Sequence, residues 1–477
     1  MSKLELEHVR FGFATNSSST HSIVVMRNMP PDDYVIGEFG WENFTLATEK
    51  AKKEYLAATL AGSLKNFMPP QVANELACYR IGIPVVDDVG CVDHQSRWSL
   101  PRKLGTKELD WEFFEVLKNT VLRPDVAILG GNDDEVHPLL GSAESKINFK
   151  CVTDELPLVS RKDVNVWVLF DQRQGSKFRI KLSPNKMEEL ESSVPETPEL
   201  MDVKLTNCCP YACPYCYQDS KSDGKCSDMN GDALASILAD LRLFEVALGG
   251  GEPTLYPAFW ELLRNVRTFD IVPSFATRNL DWLRNPKAVE IVNSNCGAVA
   301  YSFVHESSDI KKFASLCLAA GIVVDKNIHV VIGNGFINNS YCLELILKEA
   351  ATFELNVTLL GAKYIGRAEK VIELEKSDQN NWWLKPIETA LKEGRGPSIS
   401  IDTLLAKTFA KELVDLDIPS WMYETEEGKY SCYLDLVEGK VGPSSYAPDK
   451  MVKLKTISSE AIAAEFKKMH YTADFSL

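Results

Sequence analysis

A chain of 477 residues with 67 Asp and Glu against 52 Lys and Arg has a formal charge of −15 at pH 7. It lacks the excess of cations that neutralises a polyanion, which argues against duplex nucleic acid as a partner. Its 45% hydrophobic and 25% charged residues are those of a globular protein long enough for two or three cores. The longest apolar runs, such as SILADLRLFEVAL, carry charges and fall short of a membrane span. The start, MSKLELEHVRFGF, lacks the apolar core of a secretory signal. The expectation is a cytoplasmic protein with no membrane partner.

In chain order, FGFATNSSSTHSIVV is a Ser-rich stretch whose hydroxyls and N–H groups could cradle an anion, and which reads best as a turn between strands. DVAILGGNDDEVHPLL is an apolar strand ending in Gly130, Gly131, Asn132, Asp133, Asp134, Glu135 and His137. That turn has the donors for a divalent metal and is read as a solvated loop. VNVWVLFD and KFRIKLS, joined by QRQGS, predict a β-hairpin. LESSVPETPEL is an acidic, proline-containing boundary near residue 198. Residues 1–197 are therefore expected to form an α+β accessory domain of unknown function.

From 198 to 395 the pattern changes to alternating strands and helices. MDVKLTN places Met201, Val203 and Leu205 on one face of a strand, and MNGDALASILADLRLF has helical spacing. FEVALGGGEPTLYP, IVPSFATRN, GAVAYSFV, KNIHVVIGNG and NVTLLGAKYIGRA follow as strands, with helices between. Six strands alternating with helices predict parallel β/α units, whose functional residues lie at the C-terminal ends of the strands. That rule nominates Thr277, Arg278 and Asn279 after the third strand, Ser302 in the fourth, Asn334 after the fifth, and Gly366 and Arg367 after the sixth. His329, inside an apolar strand, is expected to be a satisfied core histidine. His305 has the better chance of facing a cavity.

Between the first strand and its helix lies NCCPYACPYCYQD, which puts four of the twelve cysteines within nine residues. Twelve cysteines are too sparse for a disulfide scaffold, and a tight group in a reducing compartment points to metal or redox chemistry. Cys209, Cys213 and Cys216 stand in the spacing C-x3-C-x2-C, with Cys208 as a spare. Structural zinc takes four ligands, commonly as two separated pairs. Here no second pair is close behind, and Cys226 is the nearest further thiol. Three thiolates in one short loop suit an iron–sulfur cube with one iron left open to another ligand.

C-x3-C-x2-C with Tyr215 just before the last cysteine resembles the signature of the radical S-adenosylmethionine (SAM) superfamily. Gly250, Gly251, Glu252 and Pro253, one helix and one strand later, resemble that family's Gly-Gly-Glu element. The resemblance implies a partial (β/α)6 barrel with one [4Fe–4S] cluster on Cys209, Cys213 and Cys216. It implies SAM on the open iron, its amino group at Gly250–Pro253, with Tyr215 near the adenine and Asn279, Ser302 and Arg367 as further contacts. Glycines allow the close approach and a carboxylate suits an ammonium. It also implies one-electron cleavage of SAM to a 5′-deoxyadenosyl radical that takes hydrogen from a substrate, with an electron donor such as flavodoxin or ferredoxin.

Residues 396–477 resemble a SPASM/twitch extension through WMYETEEGKYSCYLDLVEGKVGPSSYAPDK. Cys432 fills its first cysteine position, but Ser444 follows Pro443 where a second would be expected, and serine is a poor iron ligand. The segment is expected to keep a hairpin turning at Glu438-Gly439, without a second cluster. The tail and the large accessory domain favour a peptide or protein substrate. A nucleoside or other small metabolite is the alternative substrate, and a non-catalytic metal-binding or scaffold protein on the same barrel is the alternative class.

Overall fold

The computed structural model describes the chain apart from residues 1–2, 11–19, 36–37, 40–42, 93–99, 131–136, 143–144, 151–157, 164–165, 174, 184–194, 304–306, 333–336, 338, 370–380, 394–396, 417, 419–422 and 472–477. The chain divides into two compact units, Met1–Ser193 and Val194–Leu477. The Ser-rich stretch up to residue 19, the acidic turn 131–135, His305 and Asn334 lie outside the described residues.

The first unit contains β1 (Lys3–Arg10), β2 (Thr20–Val25), β3 (Glu38–Phe39), β4 (Phe44–Leu46), β5 (Cys91–Val92), β6 (Arg102–Lys103), β7 (Val126–Gly130), β8 (Ser145–Lys150), β9 (Leu158–Asp163), β10 (Val166–Asp171) and β11 (Lys177–Ser183). They form sheets in the orders β1-β11-β10-β9-β6 and β4-β7-β2-β8, plus the pair β3-β5. β10 and β11 are the expected hairpin, antiparallel with Phe170 opposite Lys177. Helices Glu49–Leu64, Pro70–Ile81 and Trp111–Val121 accompany the sheets. Phe39, Tyr55, Leu60, Phe114 and Trp167 share one apolar core with them.

In the second unit the six expected strands appear in the expected order, as β12 (Leu200–Thr206), β13 (Glu245–Gly250), β14 (Val272–Thr277), β15 (Ala298–Ser302), β16 (Asp325–Ile332) and β17 (Asn356–Gly361). Each is parallel to its neighbour. Several of the intervening helices begin where short polar side chains can cap free N–H groups. Asn230 accepts from the Ala233 N–H at 2.7 Å and Asn339 from that of Cys342 at 3.0 Å. Met201, Val203, Leu205, Leu234, Leu238, Phe259 and Val299 are fully or nearly fully buried in the core shared by sheet and helices. Each such Val, Leu, Met or Phe contributes about 1.5–3 kcal/mol by leaving water. The unit is an α/β fold with an open, largely parallel sheet, the arrangement of a partial barrel.

The sheet runs further than six strands. β18 (Ile399–Ile401) adds in parallel to β17, and β19 (Ser431–Asp435) adds in parallel to β12 at the other side. β20 (Lys440–Gly442) and β21 (Val452–Lys453) complete the order β18-β17-β16-β15-β14-β13-β12-β19-β20-β21. The hairpin expected in the tail is present, β19 against β20 with Gly439 at φ +60°, but it is built into the barrel sheet. Lys204 of β12 and Asp435 of β19 form a buried ion pair at 3.0 Å across that seam.

His329 differs from its expectation. Ile328, Val330 and Ile332 of β16 are buried in the core, so strand alternation turns His329 to the inner face, where it is only half-buried.

Candidate active site

The cysteine loop leaves β12 and is pinned by backbone hydrogen bonds to its own return. Cys209 N donates to Lys221 O at 2.8 Å, Lys221 N to Asn207 O at 3.0 Å and Asn207 N to Lys225 O at 2.7 Å. Within it, Cys216 N donates to Cys213 O at 3.2 Å, closing a turn that brings two cysteines of the C-x3-C-x2-C triad together. Ala212 and Asp219 flank that turn with φ of +46° and +47°. Left-handed backbone at residues with a Cβ is locally unfavourable and persists where the surroundings enforce it.

Cys209, Cys213 and Cys216 are free and partly exposed. Burial pushes the Cys209 thiol up, the Tyr211 N–H works against that, and Cys213, Glu252 and Cys216 add their repulsion, so the three sulfurs feel one another. Cys208 belongs elsewhere. Its sulfur donates to Ser222 O at 3.2 Å, and the charges it feels after burial are those of Cys226 and Asp223. Cys226 in turn lies 3.0 Å from Thr206 Oγ1.

Two strand ends clamp the loop. On one side, Gly251 N donates to Thr206 O at 2.6 Å and Glu252 N to Cys208 O at 2.8 Å. A Cβ on Gly251 would stand 2.2 Å from Cys208 O, so only glycine permits this approach. On the other side, a Cβ on Gly366 would stand 2.5 Å from Tyr217 O. Arg367 then donates its N–H to Cys216 O at 3.1 Å and its Nε to Cys213 O at 3.0 Å. Its Nη1 reaches Ser220 O at 2.8 Å and Asp219 at 3.0 Å.

Glu252 is 2% exposed, and its two oxygens already accept five hydrogen bonds. Oε1 takes Thr254 Oγ1 at 2.8 Å, Thr254 N at 3.3 Å and Thr277 Oγ1 at 2.6 Å. Oε2 takes the N–H groups of Arg278 at 3.1 Å and Asn279 at 3.3 Å. The carboxylate expected to meet an ammonium thus braces the ends of β13 and β14. Pro253 is buried and opens the short 3-10 turn Pro253–Leu255. Asn279 donates to Thr254 Oγ1 at 3.0 Å, and Ser302 is half-buried at the end of β15. Tyr215 donates to Phe303 O at 3.3 Å, and burial raises its phenol above the ordinary range.

The residues present fit an iron–sulfur cluster. The three thiols sit on one loop, in which Asn207 Oδ1 and Gln218 Oε1 are buried without partners, and Arg278, whose Nε is likewise unpartnered, donates to Cys213 Sγ. Among the described residues no three His, Cys, Asp or Glu groups converge on a single-ion position. A four-iron cube, in which each cysteine binds a different iron, does not ask them to.

A second polar group, unforeseen from the sequence, lies on the inner side of the sheet. Lys363, just past β17, places its ammonium 4.5 Å from the Tyr217 ring and 5.3 Å from the Tyr446 ring, and donates to Ser445 Oγ at 3.0 Å. Burial disfavours its charge, but Tyr217, Asp202, Asp402 and Glu427 outweigh it and raise its pKa. Burial lowers His329 to about 4, with Lys363 adding to the effect, so the imidazole is neutral near pH 7. The signal was present for Asp202 and His329, which alternate with the core residues of β12 and β16.

Residues 203–297 match the family model described as Radical SAM superfamily. Members of that superfamily use a [4Fe–4S] cluster and SAM. Over 130 residues the chain is 28% identical to the mycofactocin maturase MftC of Mycobacterium ulcerans, covering 27% of this chain and 34% of that protein. Over 114 residues it is 25% identical to the PqqA peptide cyclase of Gluconobacter oxydans, covering 23% of this chain and 32% of that protein. The chain thus spans about a third of the length of the curated relatives it matches. Streptococcus suis SuiB bound to precursor peptide SuiA is similar over 67% of this chain and 90% of that one, at 11% identity and a TM-score of 0.49. Among the described residues no helix is long and apolar enough to cross a membrane.

Proposed function

We propose that this protein is a radical SAM enzyme that abstracts hydrogen from a peptide or protein substrate. The observation that carries this reading is the single loop with Cys209, Cys213 and Cys216, clamped by Gly251–Glu252 on one side and Gly366–Arg367 on the other. These cysteines hold the cluster, and the strand ends at Gly250–Pro253, Asn279 and Ser302 receive SAM, with Tyr215 beside the adenine. When bound, cluster and SAM together supply one-electron cleavage to a 5′-deoxyadenosyl radical; the protein's part is to position and shield.

That part is visible in particular residues. Glu252 fixes the strand ends so that their backbone need not reorganise when SAM arrives, and Arg367 holds the carbonyls of Cys213 and Cys216. We assign the polar group of Asp202, His329, Lys363, Asp402 and Glu427, whose charges act on one another, to the substrate side. The choice of a peptide is supported by what the relatives are named for, a maturase and a peptide cyclase.

The testing experiment is anaerobic reconstitution, then incubation with SAM and dithionite. About four irons per chain and formation of 5′-deoxyadenosine are expected. Zinc in place of iron, or a cluster that leaves SAM intact, would refute the enzyme reading in favour of a binding protein. In the same assay Cys432→Ala should leave iron content unchanged. Cys432 is 1% exposed in the apolar core, and burial raises its thiol well above the usual range. A drop in iron would show a second cluster at the tail.

A further inference from the structure

We infer that Arg278 is a positioning residue for the Cys213 sulfur, which it holds by a charge-assisted hydrogen bond, and that its charge favours the reduced state of the cluster. The inference rests on the reading of Cys213 as a cluster ligand and adds to it a control on the electron that the reaction needs.

The geometry fixes Arg278 at both ends. Its backbone N–H donates to Glu252 Oε2 at 3.1 Å, at the C-terminal end of β14. Its guanidinium lies 4.9 Å from the centre of the Tyr211 ring and donates Nη1–H to Cys213 Sγ at 3.1 Å. One residue therefore joins the Gly-Gly-Glu element to the cysteine loop. Its Nε is buried without a partner, which leaves a further donor beside the sulfur. Arg367, the other guanidinium at the loop, differs in kind: it binds the carbonyls of Cys213 and Ser220 and is paired with Asp219. Arg367 shapes the backbone, whereas Arg278 addresses a sulfur.

Hydrogen bonds to cluster sulfurs and nearby net charge set reduction potentials. Reduction adds one negative charge to the cluster, and a half-buried cation beside one sulfur stabilises that added charge more than the oxidised state. Planar guanidinium gives direction as well as charge, so lysine should preserve the charge while loosening the geometry.

The experiment compares wild type, Arg278→Lys and Arg278→Met after anaerobic reconstitution, with circular dichroism to confirm folding, iron and sulfide counts, and a potentiometric titration followed by electron paramagnetic resonance. In Arg278→Met the reduction equilibrium is expected to fall about tenfold, a midpoint about 59 mV lower for a one-electron couple. Arg278→Lys should lie nearer wild type. Iron lost from the Met variant but kept by the Lys variant would also support the inference, because charge alone separates them. Equal potentials in all three, or equal loss of iron from both folded variants, would overturn it while leaving the cluster intact in wild type. Wild type that binds no iron would refute the cluster reading itself, and this inference with it.

Discussion

Cys209→Ala, Cys213→Ala and Cys216→Ala should each abolish 5′-deoxyadenosine formation and strip most iron from the protein, whereas Cys208→Ala should retain most of both. The contrast follows from two separate environments within nine residues. The charges of Cys213 and Cys216 act on Cys209, and the turn closed by Cys216 N and Cys213 O brings those two cysteines together. Cys208 is directed to Ser222 O and toward Cys226. Iron–sulfur clusters are held by thiolates, and a loop with two remaining cysteines leaves another iron without a protein ligand. Iron and sulfide analysis of the four variants checks this. The reverse pattern at Cys208 and Cys209 would mean that the register is wrong.

Glu252→Ala should lower the melting temperature by several degrees and weaken SAM binding while iron is retained. Five hydrogen bonds converge on this buried carboxylate, and its removal takes the acceptor from the Thr254 hydroxyl and from the N–H groups of Thr254 and Arg278, while the Thr277 hydroxyl and the Asn279 N–H keep Asn279 O and Thr277 Oγ1. Leaving buried donors without acceptors costs on the order of 3 kcal/mol here, since the lost acceptor is charged. Glu252→Gln should be milder on stability, because one oxygen remains as acceptor while its amide N–H faces donors. Calorimetry of folding and of SAM binding separates the two effects. Unchanged melting in Glu252→Ala would show that the brace is dispensable, and iron loss would place the carboxylate in support of the cysteines instead.

The parts of this protein that could be read without a structure are those defined by short spacing. C-x3-C-x2-C, the Gly-Gly-Glu strand end and the six alternating strands all depend on residues close in the chain, because a turn, a strand face and a helix stripe are each set within a few positions. Gly366 and Arg367 were legible as a strand-end element, but their target was not. That they grip Tyr217, Cys213 and Cys216 depends on β17 returning to the sheet beside the cysteine loop. Arg278 was one of three polar residues at the end of β14, and nothing in TRN distinguished the one that reaches Cys213.

The sequence by itself determined the C-x3-C-x2-C spacing, the parallel β/α order and the glycines that allow backbones to touch. Only the tertiary structure decided which side of β12 the tail would occupy, that Glu252 would be braced by five donors, and that Asp202, Lys363, Asp402, Glu427 and Tyr446 would meet from well-separated segments. The division is physical. Local patterns record steric and hydrogen-bonding demands that neighbouring residues impose on each other. The partners of a strand edge or a buried charge are chosen by long-range pairing and exclusion of water, which leave no mark of fixed spacing in the chain.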